Sequence, residues 1–234
     1  MPGVGTLLNV ITVLIGVLIG LTLRHRLGDT YKSIILQGIG LLTIVIGMQM
    51  ALNTKNILIV LSSVLLGGLT GQIANLDDKI SKFADLLKKK YAREDDKFFS
   101  EGFITASIIF CIGPMTILGS INDGLRADID LLALKSVLDG FTSIALAASF
   151  GIGVFFSIFT IIIIQGGITA LAFFFDQFLN DYMINEMTAV GGILIIGIGL
   201  IILDIKKINV ANFIPALVFA PFISAIYLYL KGMM

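Results

Sequence analysis

The 234-residue chain has no tryptophan, one cysteine and one histidine, and only 14% of it is charged. Each scarcity excludes something. A single cysteine, Cys111, rules out an intrachain disulfide; set in an apolar run, it reads as a small buried hydrophobe. His25, in the basic turn Arg24-His25-Arg26, offers no metal cluster. Without tryptophan, any aromatic belt must come from tyrosine and phenylalanine. Lys+Arg and Asp+Glu balance at 16 each, so nothing suggests a nucleic-acid partner. There is no Ser/His/Asp, Cys/His or zinc spacing, no P-loop and no dinucleotide fingerprint. The expectation is a protein that is not an enzyme and holds neither cofactor nor structural metal.

What the chain has in excess is apolar surface: 57% hydrophobic residues and a mean hydropathy of +1.01. A soluble domain of this size cannot hide that much, because much of its surface must face water. The predicted class is an all-α integral membrane protein, a single transmembrane domain whose first partner is the lipid bilayer. About eight stretches approach the roughly 20 residues needed to cross. They are Val4–Leu23, Ser33–Ala51, Ile57–Ile73, Phe99–Gly119, Leu131–Phe150, Val154–Phe175, Thr188–Leu203 and Ala211–Leu230. The joint Gly151-Ile-Gly153 is so short that the fifth and sixth spans read as a tight hairpin. The N-terminus lacks a basic region and a cleavage site, so it reads as a retained first span.

Basic residues set the expected orientation. Arg24, Arg26, Lys32, the seven from Lys79 to Lys97, Lys206 and Lys207 make twelve of the 16, all on one side. By the positive-inside rule that side is cytoplasmic, and both termini are extracytoplasmic. The cytoplasmic piece at 75–97 carries Ile80, Phe83, Leu87 and Tyr91 at spacings of three and four, the stripe of an amphipathic connector lying on the inner face.

Three weak matches suggest an internal repeat. Lys32-Ser-Ile-Ile-Leu-Gln37-Gly38 resembles Lys135-Ser-Val-Leu-Asp139-Gly140 with one deletion. Leu66-Gly67-Gly68-Leu-Thr70-Gly71 resembles Gln165-Gly166-Gly167-Ile-Thr169-Ala170. Glu101 precedes Ile112-Gly113 much as Glu186 precedes Ile196-Gly197. All three pairs lie three spans apart. An odd offset inverts the topology, a plan recurrent in secondary transporters. Shared apolar composition is the plain alternative.

Asp139 lies near the middle of the fifth span, one helical turn after Lys135. Charges at that depth are costly and mark a pathway, a coupling site or a buried pair. Two accounts stand: a self-neutralising i,i+4 brace, or a carboxylate that binds a cation or proton while Lys135 tunes it. Asn9, Thr105, Ser107, Gln165 and Thr169 are further polar candidates within spans, and Gln165 stands beside the glycine pair Gly166-Gly167. Such glycines serve close packing, or else local unwinding that frees backbone groups for a ligand. Glu101 and Glu186 stand at span starts, where a helix N-terminus favours carboxylates. Pro114, after Gly113, removes a backbone hydrogen bond near Phe110 and predicts a kink or break beside Cys111 and Thr116; Pro215 and Pro221 do the same in the last span.

The run Glu101-Gly-Phe-Ile-Thr105-Ala-Ser107 through Cys111-Ile-Gly113-Pro114, then Lys135-Ser-Val-Leu-Asp139-Gly140-Phe, Gln165-Gly166, Glu186-Met-Thr-Ala-Val-Gly191-Gly192 and Val210-Ala-Asn212-Phe-Ile-Pro215, resembles the YqgA/YdfK family. The resemblance extends from Gly5-Thr6-Leu-Leu-Asn9 over nearly the whole chain. It implies a multi-pass bacterial inner-membrane protein and supplies no substrate. Matching positions include Asn9, Glu101, Thr105, Ser107, Asp139, Gln165, Glu186 and Asn212.

The functional expectation is a small secondary transporter or exporter of a solute or ion, cation- or proton-coupled, with a midplane polar site. A homodimer would give so thin a bundle more wall. The alternatives are an ion channel, or a non-transporting scaffold or sensor whose polar groups only pack helices.

Overall fold

The computed structural model describes residues 1–24, 29–91, 98–111 and 114–232. Gly113, His25, Arg26 and the end of the connector at 92–97 lie outside them, as do the side chains of Phe83, Leu87 and Tyr91. Among the described residues every regular element is helical, as the composition predicts. Among these described residues, by length and composition, four helices can cross a membrane, or up to six if each of two bent pairs is one span. Two compact units form: Met1–Ile39 with Lys82–Gln177, and Gly40–Ser81 with Phe178–Met234.

The first unit is built on α1 (Val4–Arg24) and α7 (Asp130–Phe150). The buried face of α1 is mostly small: Gly5, Thr6, Asn9, Val13, Gly16, Val17 and Gly20, at helical spacing. Its other face, with Leu7, Ile15 and Leu18, is more than half exposed, as suits a surface meeting acyl chains. Gly5 lies against Leu132, Gly16 against Ser143 and Gly20 against Ala147, so the helices run parallel in constant register. At Gly16 an added Cβ would land on the Ser143 hydroxyl and the Gly140 carbonyl. Close packing therefore accounts for the Gly16-xxx-Gly20 pattern.

The predicted break at Pro114 is present. Helices α5 (Phe99–Cys111) and α6 (Pro114–Arg126) meet at 59°. Proline has no N–H to offer the Phe110 carbonyl; the Thr116 hydroxyl donates to it instead, at 3.2 Å. After α7, Gly151 takes φ 83° and opens a 3-10 turn, Gly151–Phe156, that leads into α8 (Ser157–Ala170). This turn reverses the chain, because Asp139 and Gln165 meet on one Asn9 nitrogen. A straight helix would hold them about 39 Å apart at 1.5 Å per residue. A short helix, α9 (Ala172–Phe178), follows.

In the second unit the Gly40–Ala51 part of α2 (Asp29–Ala51) runs antiparallel to α10 (Asp181–Ile202). Gly47 meets the Gly192 carbonyl and Ile196, and Gly40 meets Leu203. Helix α3 (Ile57–Ile73) runs antiparallel to α11 (Ala216–Leu230) and the 3-10 turn before it, with Gly67 beside Ala216 and Gly71 beside Asn212. Helix α4 (Leu76–Tyr91) follows α3.

The unwinding alternative for the glycine pairs is not what forms. Helix α8 is continuous through Gly166-Gly167 and α10 through Gly191-Gly192. Each glycine still has its N–H, so the helical ladder is not interrupted as it is at proline. Pro215 sits at the N-cap of α11, where a missing N–H costs nothing, and Pro221 lies inside that helix.

Candidate functional site

Three polar side chains from three helices of the first unit converge. Asn9 Nδ2, on α1, donates to Asp139 Oδ2 of α7 at 3.0 Å and to Gln165 Oε1 of α8 at 2.9 Å. Gln165 Nε2 donates to the Thr6 hydroxyl at 3.2 Å. Lys135 Nζ pairs with the same Asp139 oxygen. Asn9 and Gln165 are fully buried, and Asp139 and Lys135 nearly so. Because both partners of Asn9 Nδ2 are acceptors, the orientation of the Asn9 amide is fixed by its neighbours. Its carbonyl oxygen, Oδ1, is then left buried with no hydrogen-bond partner. An orphaned acceptor of this kind costs about 1–3 kcal/mol.

The pair Lys135–Asp139 keeps the cluster neutral, and Asn9 adds a donor to the carboxylate. Cys111, at the end of α5, is buried.

The other expected residues divide. Thr169 bonds back to the Gln165 carbonyl of its own helix at 3.1 Å. Gly166 faces the Thr6 methyl, whereas nothing lies within 4 Å of a Cβ added at Gly167. Ser107 pairs with Thr160 at 2.9 Å, and Thr105 is buried on α5. Glu101 is exposed in the first turn of α5.

Glu186 and Asn212 belong to the second unit and have structural partners there. Glu186, fully buried on α10, accepts from the Thr54 hydroxyl at 2.7 Å and from the backbone N–H groups of Lys55 and Asn56 at 2.7 and 3.0 Å. It thus satisfies donors at the start of α3, a different helix from its own. Asn212 Nδ2 donates to Gln72 Oε1 at 2.9 Å, and Asn212 Oδ1 accepts from the Asp77 N–H at 2.8 Å, in the first turn of α4.

Sequence reasoning missed Asp123 and Thr6. Asp123, fully buried on α6, accepts from the N–H of Gly3 at 3.1 Å and of Gly5 at 3.2 Å. It anchors the N-terminus of α1 beside Leu132. The expected span ended at Gly119, which left Asp123 in a loop; following the helix to Arg126 is the signal that finds it.

Comparison with known proteins agrees with the fold. A family profile described as "Protein of unknown function (DUF554)" matches residues 4–225. The chain is similar to "Uncharacterized membrane protein YdfK" of Bacillus subtilis (strain 168), at 35% identity over 221 residues, 93% of each chain. It is also similar to "Uncharacterized protein YqgA" of Escherichia coli (strain K12), at 29% identity over 226 residues, 95% of this chain and 96% of that one. No solved structure matches.

Proposed function

The chain belongs to the DUF554 family of multi-span membrane proteins, and from that premise we propose that it is a secondary transporter or exporter of a small solute or ion in the bacterial inner membrane. One observation carries this reading: the buried convergence of Asn9, Asp139 and Gln165, with Lys135 on the carboxylate and an acceptor left over at Asn9. Buried ionisable groups among apolar helices are costly and concentrate at pathways and coupling sites. Occlusion favours a transporter over a channel, which needs a continuous polar stripe.

Two further features support this reading. The first unit also contains a helix break, between α5 and α6, and breaks of this kind free backbone groups at transporter sites. Residues 32–38 and 135–140 both lie in the first unit, whereas each of the other two internal matches pairs a segment from each unit, α8 with α3 and α5 with α10. Those two pairings fit an inverted repeat. Lysine and arginine asymmetry orients 75–97 to the cytoplasm and both termini outside. A homodimer would widen the wall around the site.

A specific observation favours a second reading, a scaffold or sensor: Lys135 and Asp139 already neutralise each other. Proteoliposome flux separates the two. Purified protein is screened for compounds that raise its melting temperature, and those compounds are then tested for uptake. Saturable exchange that disappears in Asp139→Asn supports a transporter. Non-saturating conductance identifies a channel. Absence of flux for every stabilising compound supports the scaffold.

A further inference from the structure

We propose that α6 lies across the entrance to the Asn9–Asp139–Gln165 cluster, and that a hydrophilic cation reaches the cluster beneath it, past Ser120, from the end of the first unit at which α1 begins. This rests on the transporter reading and adds the way in.

The contacts of α6 place it. Gly119 rests on Leu131 and Leu132, in the first turn of α7. Gly124 rests on the Thr169 carbonyl, in the last turn of α8. Asp123 accepts from the N–H groups of Gly3 and Gly5, where α1 starts. Each of these contacts lies four residues from a member of the cluster: Gly5 from Asn9, Leu131 from Lys135 and Thr169 from Gln165. Four residues of helix rise about 6 Å. Helix α6 therefore touches all three helices that carry the cluster, about one turn from it on each.

Ser120 shows which face of α6 is built for a passing solute. Successive residues of a helix are turned by about 100°. Ser120 then falls between Gly119 and Gly124, on the face that meets α7 and α8, together with Thr116 and Asp123. All three are buried. Thr116 and Asp123 have partners, the Phe110 carbonyl and the α1 N–H groups. Ser120 Oγ has none. Other helical serines of this chain bond back: Ser63, Ser136 and Ser224 each donate to the carbonyl four residues earlier. A buried hydroxyl that forgoes that bond is unfavourable, and a solute or its water passing under α6 would satisfy it.

The ends of α6 suit a segment that moves as one piece. It meets α5 at 59°, and it ends at Ala127, a non-glycine residue in left-handed backbone with φ 54°. Asp123 is its polar tie to α1. The same end carries Asp123, Asp128 and Asp130 with Arg126, so acid exceeds base and a cation is favoured over an anion.

The test is modification of single cysteines. Cys111 is replaced by alanine, and Pro2→Cys, Leu7→Cys, Val13→Cys or Ser120→Cys is added. Pro2 is exposed and marks the entrance end, Leu7 is exposed on the lipid face, and Val13 is fully buried on α1. Spheroplasts and inside-out vesicles receive charged, membrane-impermeant methanethiosulfonates, which attack only a hydrated thiolate. Ser120→Cys should react at least about tenfold faster than Val13→Cys and Leu7→Cys, and from the same side as Pro2→Cys. Relative to Pro2→Cys, the ethyltrimethylammonium reagent should outpace the ethylsulfonate. Asp123→Ala, or Asp123→Asn if the first does not unfold cooperatively, should speed reaction at Ser120→Cys several-fold and leave Val13→Cys unchanged. A Ser120→Cys protein that folds yet reacts no faster than Val13→Cys, or only from the side opposite Pro2→Cys, overturns the proposal; preference for the anionic reagent overturns the cation. Modification at Ser120→Cys without proteoliposome flux of any stabilising compound keeps the entrance and removes the transporter reading. Flux with Ser120→Cys unreactive does the reverse.

Discussion

The Thr116 hydroxyl donates to the Phe110 carbonyl across the break between α5 and α6. That carbonyl is the one Pro114 cannot serve. The bond is buried, so no solvent stands in when it is lost. Thr116→Val is expected to lower stability by about 1–3 kcal/mol, the cost of an orphaned buried acceptor. Thr116→Ser should restore most of the loss. Thermal unfolding of the two purified variants checks the pair of outcomes; a Val variant as stable as wild type would show that the hydroxyl is dispensable.

Asp123 makes a comparable bond between distant parts of the first unit. Its carboxylate takes two N–H groups at the start of α1, where the helix dipole also favours negative charge. Asp123→Ala should cost about 0.5–2 kcal/mol, with Asp123→Asn intermediate. Hydrogen exchange should localise the loss to the first turns of α1, and uniform deprotection across the unit would contradict this assignment.

These two sites show what a sequence can disclose. The cost of polar groups among apolar residues was enough to single out Asn9, Asp139 and Gln165, and the chemistry of proline was enough to place a break whose free carbonyl is Phe110. Which side chains would meet was not legible, because Asn9 joins residues from helices far along the chain. Asp123 escapes because the expected span ends at Gly119, about two turns short of the helix end at Arg126. Glu186 was assigned to the N-terminus of its own helix, whereas it serves that of α3; that choice depends on packing within the second unit, which local sequence does not encode. Gly166-Gly167 invited an unwound segment, yet α8 runs through the pair: both N–H groups stay in the ladder, which outweighs the low helix propensity of glycine.

The glycines themselves give a paired test. Gly16 faces the α7 backbone with no room for a methyl group, whereas Gly167 has nothing within 4 Å. Gly16→Ala should therefore push α1 from α7 and destabilise by about 1–3 kcal/mol, as overpacking does. Gly167→Ala should be neutral, or stabilising by up to about 1 kcal/mol from helix propensity. The two melting temperatures, measured in one detergent, decide the matter; equal losses would mean that Gly167 serves a conformation other than the helix described.

A last prediction separates bracing from binding at Lys135–Asp139. Removing one member leaves a buried charge unpaired, so Lys135→Met and Asp139→Asn should each cost about 3–5 kcal/mol. The double variant leaves no charge and should recover most of that loss, giving a large coupling in a double-mutant cycle. Such recovery is required by any account of the pair, since it follows from burial alone. What differs is the response to salt. If the pair is only a brace, the melting temperature of the double variant and of wild type will rise equally in sodium and choline chloride. If Asp139 holds a cation, wild type alone will gain extra stability in the metal salt, because a ligand that binds only the folded state raises its apparent stability. Stability thus measures the brace and its ion dependence measures the site, and the same four proteins report both.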